Sequence, residues 1–284
     1  MQNGSSLVDV PWLQAHLFEG HTLQEHSEES NLVVVDTRFS LATPQQGRQQ
    51  YDAGHIPTAI YLDLDQDLSG PVQTHGGRHP LPSWDVFIAK LSQIGIQSNP
   101  PTQVVIYDNS RFAFAARLWW MLRYLGHTQV AILDGGIKAW ERAGLPLETE
   151  EPDSHQPGEF IPAPQPHWIV DIDTVRQRQN LPGTVLIDSR SPERYRGEVE
   201  PIDPVAGSIP GATNAFWQQT TTEGGYLKDR SVLAKQWQSL NPDNEVVFYC
   251  GSGVTACVNL FSLVTMGHRM YQLYPGGWSD WCSY

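Results

Sequence analysis

Cysteine is scarce in this chain, and positive charge is outnumbered. Only Cys250, Cys257 and Cys282 occur in 284 residues. An odd, small number cannot build a disulfide framework and suits a reducing compartment. A zinc site is not expected either. Four thiolates are missing, the spacing of Cys250 and Cys257 is not one zinc uses, and no histidine lies between them. The expectation is therefore no metal and no cofactor. Lys and Arg number 18 against 31 Asp and Glu, giving a net charge of -13. Such a surface repels phosphate backbones and argues against a nucleic-acid partner. A site for a small anion must then build its own positive field. No apolar run is long enough for a membrane-spanning helix. The first residues, "MQNGSSLVDVPW", show no basic start followed by an apolar stretch. No membrane partner is expected, and a cytoplasmic location is the default.

What the chain does have is a repeat. "LVVVDTR" (Leu32 to Arg38) matches "TVLIDSR" (Thr184 to Arg190). "GHIPTAIYL" from Gly54 matches "GSIPGATNA" from Gly207. "VVIYD" (Val104 to Asp108) matches "VVFYC" (Val246 to Cys250). "LGHTQVAILDGGIKAW" from Leu125 matches "MGHRMYQLYPGGWSDW" from Met266. The order is kept, with a deletion in the second half between the second and third blocks. Self-similarity on this scale is a duplicated domain, not a short-period solenoid. The segment from Glu148, "ETEEPDSHQPGEFIPAPQPH", is rich in proline and acid and reads as a linker. The expected division is 1–147, a linker 148–167, and 168–284.

Each half alternates short apolar strands with helical patterns. Leu32–Asp36, Val104–Tyr107 and Val130–Leu133 are expected strands, with partners at Val185–Asp188, Val246–Tyr249 and Met270–Leu273. Ser83–Ile94, Phe114–Leu125 and Val254–Met266 are expected helices. Buried strands alternating with helices predict an α/β fold with a mostly parallel sheet covered on both faces. Ligands bind beyond the carboxyl ends of such strands, and Cys250 falls at one of them.

The phrase there is a strand, Cys250, then Gly251, Ser252, Gly253, Val254 and Thr255, then a helix from about Ala256. Glycines let the backbone turn tightly and approach a ligand. Inward-facing amides form an anion nest, and the helix start adds its own N–H groups. Such a loop favours the thiolate, which is the nucleophilic form, and would stabilise an anionic adduct on it. A lone cysteine at a strand end is otherwise a small buried apolar residue. Asp108 in the same place of the first half speaks against that, because an unpaired buried carboxylate is costly. The position is therefore expected to be partly exposed in both halves. Cys257 reads as core.

Together the Asp-x-Arg strands, the Gly-His-Ile-Pro turn, the cysteine loop and the closing Gly-Gly-x-x-x-Trp resemble the rhodanese-like sulfurtransferases in their tandem two-domain form. The resemblance covers nearly the whole chain. It implies two rhodanese-like domains, each a five-stranded, mostly parallel sheet flanked by helices. It also implies an inactive N-terminal half, with Asp108 for the cysteine, and a catalytic C-terminal half whose site lies at the inter-domain cleft. The implied reaction has two steps. Cys250 takes the outer sulfur of a small anionic donor as a persulfide and passes it to cyanide or a thiol, a thioredoxin-like protein being one candidate acceptor.

The neutral Gly251 and Ser252 resemble the 3-mercaptopyruvate branch. Thiosulfate enzymes of the family carry cations just after the cysteine. In the mercaptopyruvate branch a serine two after the cysteine joins a histidine and an aspartate. Ser252 matches the serine. His79 and Asp65 are the best matches for the others, with His75 and Asp63 as rivals. The donor's carboxylate needs a cation, and arginine suits it. Arg190 has a twin in Arg38 and reads as serving the shared fold. Arg194 and Arg196 face Ala42 and Pro44 in the first half, so repeat asymmetry points to them; Arg194 matches the family's first substrate arginine. Ile202 stands where a second substrate arginine is usual, which leaves that clamp missing or supplied by Arg196. Ser208 replaces the histidine of Gly-His-Ile-Pro in the second half.

Two other readings differ in class. Cysteine phosphatases use Cys-x5-Arg at a helix start, but that arginine position is Ala256 here, so the cation a phosphoryl group needs is absent. A sulfur carrier without turnover needs the same cysteine, and is separated from an enzyme by multiple-turnover assay. Thiosulfate is the alternative donor with the same mechanism.

Overall fold

The computed structural model describes residues 6–18, 31–152 and 156–284. They form two compact units. The first holds Met1–Leu68, Ser83–Pro164 and Glu223–Tyr226. The second holds Ser69–Pro82, Gln165–Thr222 and Leu227–Tyr284. The stretch Ser69–Pro82 thus packs with the later half of the chain, which the order of the repeats does not reveal.

In the first unit the strands are β1 (Leu7–Val8), β2 (Leu32–Asp36), β3 (Ile60–Tyr61), β4 (Gln103–Tyr107) and β5 (Val130–Leu133). They pair in parallel in the order β1-β5-β4-β2-β3. The helices are α1 (Val10–Phe18), α2 (Gln45–Ala53), α3 (Trp84–Gln93), α4 (Ala115–Tyr124) and α5 (Gly136–Arg142). Val34, Val105, Ala131 and Trp140 lie in one buried cluster, as uninterrupted apolar strands require when both faces are covered.

In the second unit α6 (Ile172–Arg178), α7 (Pro192–Tyr195), α8 (Arg230–Trp237), α9 (Ala256–Thr265) and α10 (Gly277–Trp281) flank a second parallel sheet. Its strands are β6 (Thr184–Asp188), β7 (Thr213–Asn214), β8 (Glu245–Tyr249) and β9 (Gln272–Leu273), in the order β7-β6-β8-β9. The family resemblance implies five strands, and among the described residues this sheet has four. At the fifth place stands a single parallel bridge between Ile169 and Leu273. The chain arrives there through Pro164, Pro166 and a short 3-10 turn at Pro166–Trp168. Proline has no N–H to give a ladder, and Val170 N to Leu273 O, 3.0 Å, completes the contact.

The repeated motifs are repeated devices. Arg38 pairs with Asp36 and donates to Gly54 O at 2.8 Å. Arg190 pairs with Asp188 and donates to Gly207 O at 2.6 Å. Both pairs are buried, so each charge is met by its partner and a carbonyl. Arg190 is therefore committed to the fold. The Gly-Gly motif is explained by close approach. Gly136 has φ +56, and a Cβ there would lie 2.1 Å from Asp108 O. Gly277 has φ +61, and its Cβ would lie 2.6 Å from Cys250 O. In both units the helix start docks on the carbonyl of the residue that ends the central strand: Ile137 N to Asp108 O is 3.2 Å and Trp278 N to Cys250 O is 2.8 Å. Gly277→Ala is expected to cost about 1–3 kcal/mol through left-handed strain and the collision with backbone. A thermal melt of the variant checks this, and an unchanged Tm would show that the loop yields.

Candidate active site

Cys250 directly follows β8, and α9 starts at Ala256. Between them Gly253 takes φ +72, and a Cβ there would lie 2.3 Å from Pro275 O, so only glycine fits. The first turn of α9 closes through Cys257 N to Val254 O and Val258 N to Thr255 O, both 3.1 Å. Cys250, Ser252 and Val254 are buried, and Thr255 is half-buried.

Cys250 is 2 % exposed and Asp108 also 2 %, so the expectation of partial exposure is corrected in both halves. The premise that an aspartate there would be unpaired fails. Asp108 Oδ1 accepts from Ser110 N at 2.8 Å and Phe112 N at 3.1 Å. Its Oδ2 accepts from Phe114 N at 3.0 Å and Ala115 N at 3.1 Å. Arg111 and Phe112 adopt φ of 61 and 71 to bring these amides round. Burial pushes the Asp108 carboxyl up, and the four amides pull against it. An anion nest of the kind expected in the Cys250 loop is present around Asp108 in the first unit, where the residue's own side chain fills it.

In the second unit several side chains meet at the cysteine loop. His79 Nδ1 and Ser252 Oγ share a hydrogen bond of 2.7 Å, and both residues are buried. His75 goes elsewhere: Nδ1 lies 2.9 Å from Ser283 Oγ, and the ring stacks on Tyr284. Arg194, at the end of α7, stands against the loop. A Cβ on Gly251 would be 3.6 Å from its Nη2 and 3.7 Å from its Nη1. Arg194 is held by Glu200 at 2.7 Å and Asp203 at 3.1 Å. Burial alone would push the Glu200 carboxyl up, but hydrogen bonding from Arg194 holds it below its ordinary value.

Arg196 lies apart from this group. Its side chain is half exposed, and its Nε and Nη2 donate to Glu198 at 2.7 and 2.8 Å. Repeat asymmetry marks what the other half lacks, not where a side chain points. Asp65 and Asp63 belong to the first unit. Asp65 is exposed as a residue, and partial desolvation of its carboxyl, then the neighbouring Asp63 charge, push its pKa up. Asp63 is buried and organises the turn, its Oδ1 accepting from Asp65 N at 2.8 Å and Gln66 N at 3.1 Å.

Sequence reasoning missed Arg78, Glu200 and Asp203. Arg78 pairs with Asp203, and its Nη2 would lie 2.9 Å from a Cβ on Gly251. The segment is stitched in place. Gly76 N donates to Asp280 Oδ1 at 2.6 Å and Arg78 N to Ser279 Oγ at 3.1 Å. Gly77 has φ +82 and would place a Cβ 2.4 Å from Gly276 O. The signal was present in "HGGRHP": paired glycines beside a basic pair, in a stretch the second half deletes.

Comparison with known proteins supplies the family. The rhodanese-like domain model matches residues 19–143 and 171–284. A Pseudomonas aeruginosa protein named "Probable 3-mercaptopyruvate sulfurtransferase" is 43% identical over 272 residues, covering 94% of this chain and 95% of that one. A Mycobacterium tuberculosis protein named "Putative thiosulfate sulfurtransferase SseB" is 36% identical over 252 residues, covering 88% and 87%. The solved structure of 3-mercaptopyruvate sulfurtransferase from Leishmania major superimposes with a TM-score of 0.82 at 30% identity, covering 99% of this chain and 75% of that one. The chain belongs to the rhodanese-like family. Within it, this is an enzyme of the sulfurtransferase class.

Proposed function

We propose that the protein transfers sulfur from 3-mercaptopyruvate through a persulfide on Cys250. The observation that carries this reading is the convergence of the Ser252–His79 hydrogen bond and the Arg194 guanidinium on the loop that follows Cys250. The Cys250 thiolate attacks the donor sulfur, and the carbon–sulfur bond breaks. The electron pair leaves on carbon as the enolate of pyruvate, which takes a proton to become pyruvate. Ser252 and His79 are suited to moving that proton, His79 being a titratable base at hydrogen-bond distance. The amides from Gly251 to Thr255 are suited to holding the persulfide anion. A thiol or cyanide then attacks the outer sulfur and restores the Cys250 thiolate. A thioredoxin-like thiol is a reasonable protein acceptor, and the free cysteines suit a cytoplasmic setting. Among the described residues no helix is long and apolar enough to cross a membrane.

Charge supports this donor over thiosulfate. Arg78 and Arg194 are offset by Glu200 and Asp203, so the site offers no surplus of positive charge for a dianion. A single carboxylate asks less of it. Thiosulfate is the second reading, favoured by the name of the Mycobacterium tuberculosis relative. Both donors, assayed side by side with cyanide, decide. 3-Mercaptopyruvate is expected to show the higher second-order rate constant, and the reverse order would overturn the donor assignment. Arg194→Ala is expected to lose about 1.5–3 kcal/mol of transition-state stabilisation, read as kcat/KM, as for a charged hydrogen bond. An unchanged kcat/KM would remove Arg194 from the donor site.

A further inference from the structure

We propose that Arg78 is the second donor-binding cation, paired with Arg194 across the Asp203 carboxylate. This rests on the sulfurtransferase reading above and adds to it a residue that binds the donor's carboxylate.

Four observations carry it. First, both guanidiniums face the same point. Arg78 Nη2 and Arg194 Nη2 would lie 2.9 and 3.6 Å from a Cβ on Gly251, the residue beside Cys250. The missing side chain of Gly251 is what admits them. Second, their other edges are spent on protein. Arg78 uses Nη1 on Asp203 Oδ1, and Arg194 uses Nε and Nη2 on Glu200 and Nη2 on Asp203 Oδ2. Both Arg194 Nη atoms lie near that point, Nη2 at 3.6 Å and Nη1 at 3.7 Å; Arg78 Nη2 and Arg194 Nη1, which lie outside the bonds to Glu200 and Asp203 just named, offer N–H groups from different arginines, a fit for the two oxygens of one carboxylate. Third, both side chains are reachable from solvent, at 29% and 17% exposure, while Asp203 and Glu200 are buried at 2% and 3%. The acids are the fixed scaffold and the arginines the accessible face. Fourth, the backbone of Arg78 is held by Ser279 while its neighbour His79 meets Ser252. The cation and the hydrogen-bonded pair are set by one short segment. Ile202 is 46% exposed and brings no charge, and Arg196 pairs with Glu198.

The test uses full-length Arg78→Gln and Arg78→Lys with 3-mercaptopyruvate as donor and cyanide as acceptor. Discharge of the persulfide is measured separately, on enzyme preloaded at saturating donor. Arg78→Gln is expected to raise the donor KM about 10- to 100-fold, the loss of one charged hydrogen bond, with kcat changed by less than about 3-fold. Its discharge by cyanide should match wild type, and Arg78→Lys should recover part of the loss by restoring the charge without the fork. If Arg78→Gln keeps the wild-type KM, or slows discharge equally, or if Arg78→Lys recovers nothing, the proposal falls and Arg78 only braces the loop. If wild type itself gains no sulfur on Cys250 from this donor, the proposed reaction fails instead, and the two failures are told apart.

Discussion

Cys250→Ser is expected to leave no measurable sulfur transfer. A serine hydroxyl at the end of β8 cannot carry a sulfur–sulfur bond, so the covalent route closes rather than slows. The expected loss is at least about 1000-fold in kcat/KM, or about 4 kcal/mol. The other thiols are poorly placed to substitute. Cys257 is fully buried in α9 with its Sγ 3.5 Å from Gly253 O. Cys282 is half-buried, and burial pushes its thiol up, away from the nucleophilic form. Mass spectrometry after incubation with 3-mercaptopyruvate gives the direct readout. Wild type should gain one sulfur atom on the Cys250 peptide, and Cys250→Ser should gain none on any peptide. Transfer retained by the variant would sink the mechanism.

Asp108→Ala is expected to be among the most destabilising single changes in the first unit, although Asp108 has no proposed part in the chemistry. It removes the acceptor for four amides at once, three of them buried and the Ser110 amide partly so. Each unsatisfied buried donor costs about 1–3 kcal/mol, partly relieved if water enters, so a total on the order of 3–5 kcal/mol is expected. The readout is thermal melting, with a Tm lower by on the order of 10 °C for a domain of this size. Asp108→Asn keeps one acceptor oxygen but turns an NH2 group toward two donors, and should fall between. A melt of Asp108→Ala indistinguishable from wild type would mean the loop needs no internal anion.

Much of the fold was legible because the chain writes it twice. The strand runs at Leu32, Val104, Thr184 and Val246 could be checked against each other, and each became a strand of the expected direction. The short edge elements were not legible in this way. β9 is only Gln272–Leu273, and the chain entering at Ile169 makes one bridge, because prolines upstream remove ladder donors. At the candidate site, Cys250 stands out in the sequence because its twin is Asp108. The same comparison misled on burial, since it took the carboxylate to be unpaired. The amides that meet it come from the loop backbone, which no side-chain pattern displays. It misled again on Arg196, which shares the asymmetry of Arg194 and turns to Glu198. Arg78 was hidden for the opposite reason. Its segment has no twin to compare, and its packing with the second unit is a fact of the fold alone.

The filled nest around Asp108 has a use of its own. An aspartate carries its oxygens two bonds beyond Cβ, and a cysteine persulfide carries its outer sulfur two bonds beyond Cβ. The first half therefore displays, permanently and in carbon and oxygen, the outline of a charged adduct at a strand end ringed by amides. Its loop runs from Asp108 to Ala115, one residue longer than the run from Cys250 to Ala256. A structure of the enzyme carrying the proposed Cys250 persulfide can be laid over Asp108 of the same molecule, so this chain supplies its own reference for that adduct.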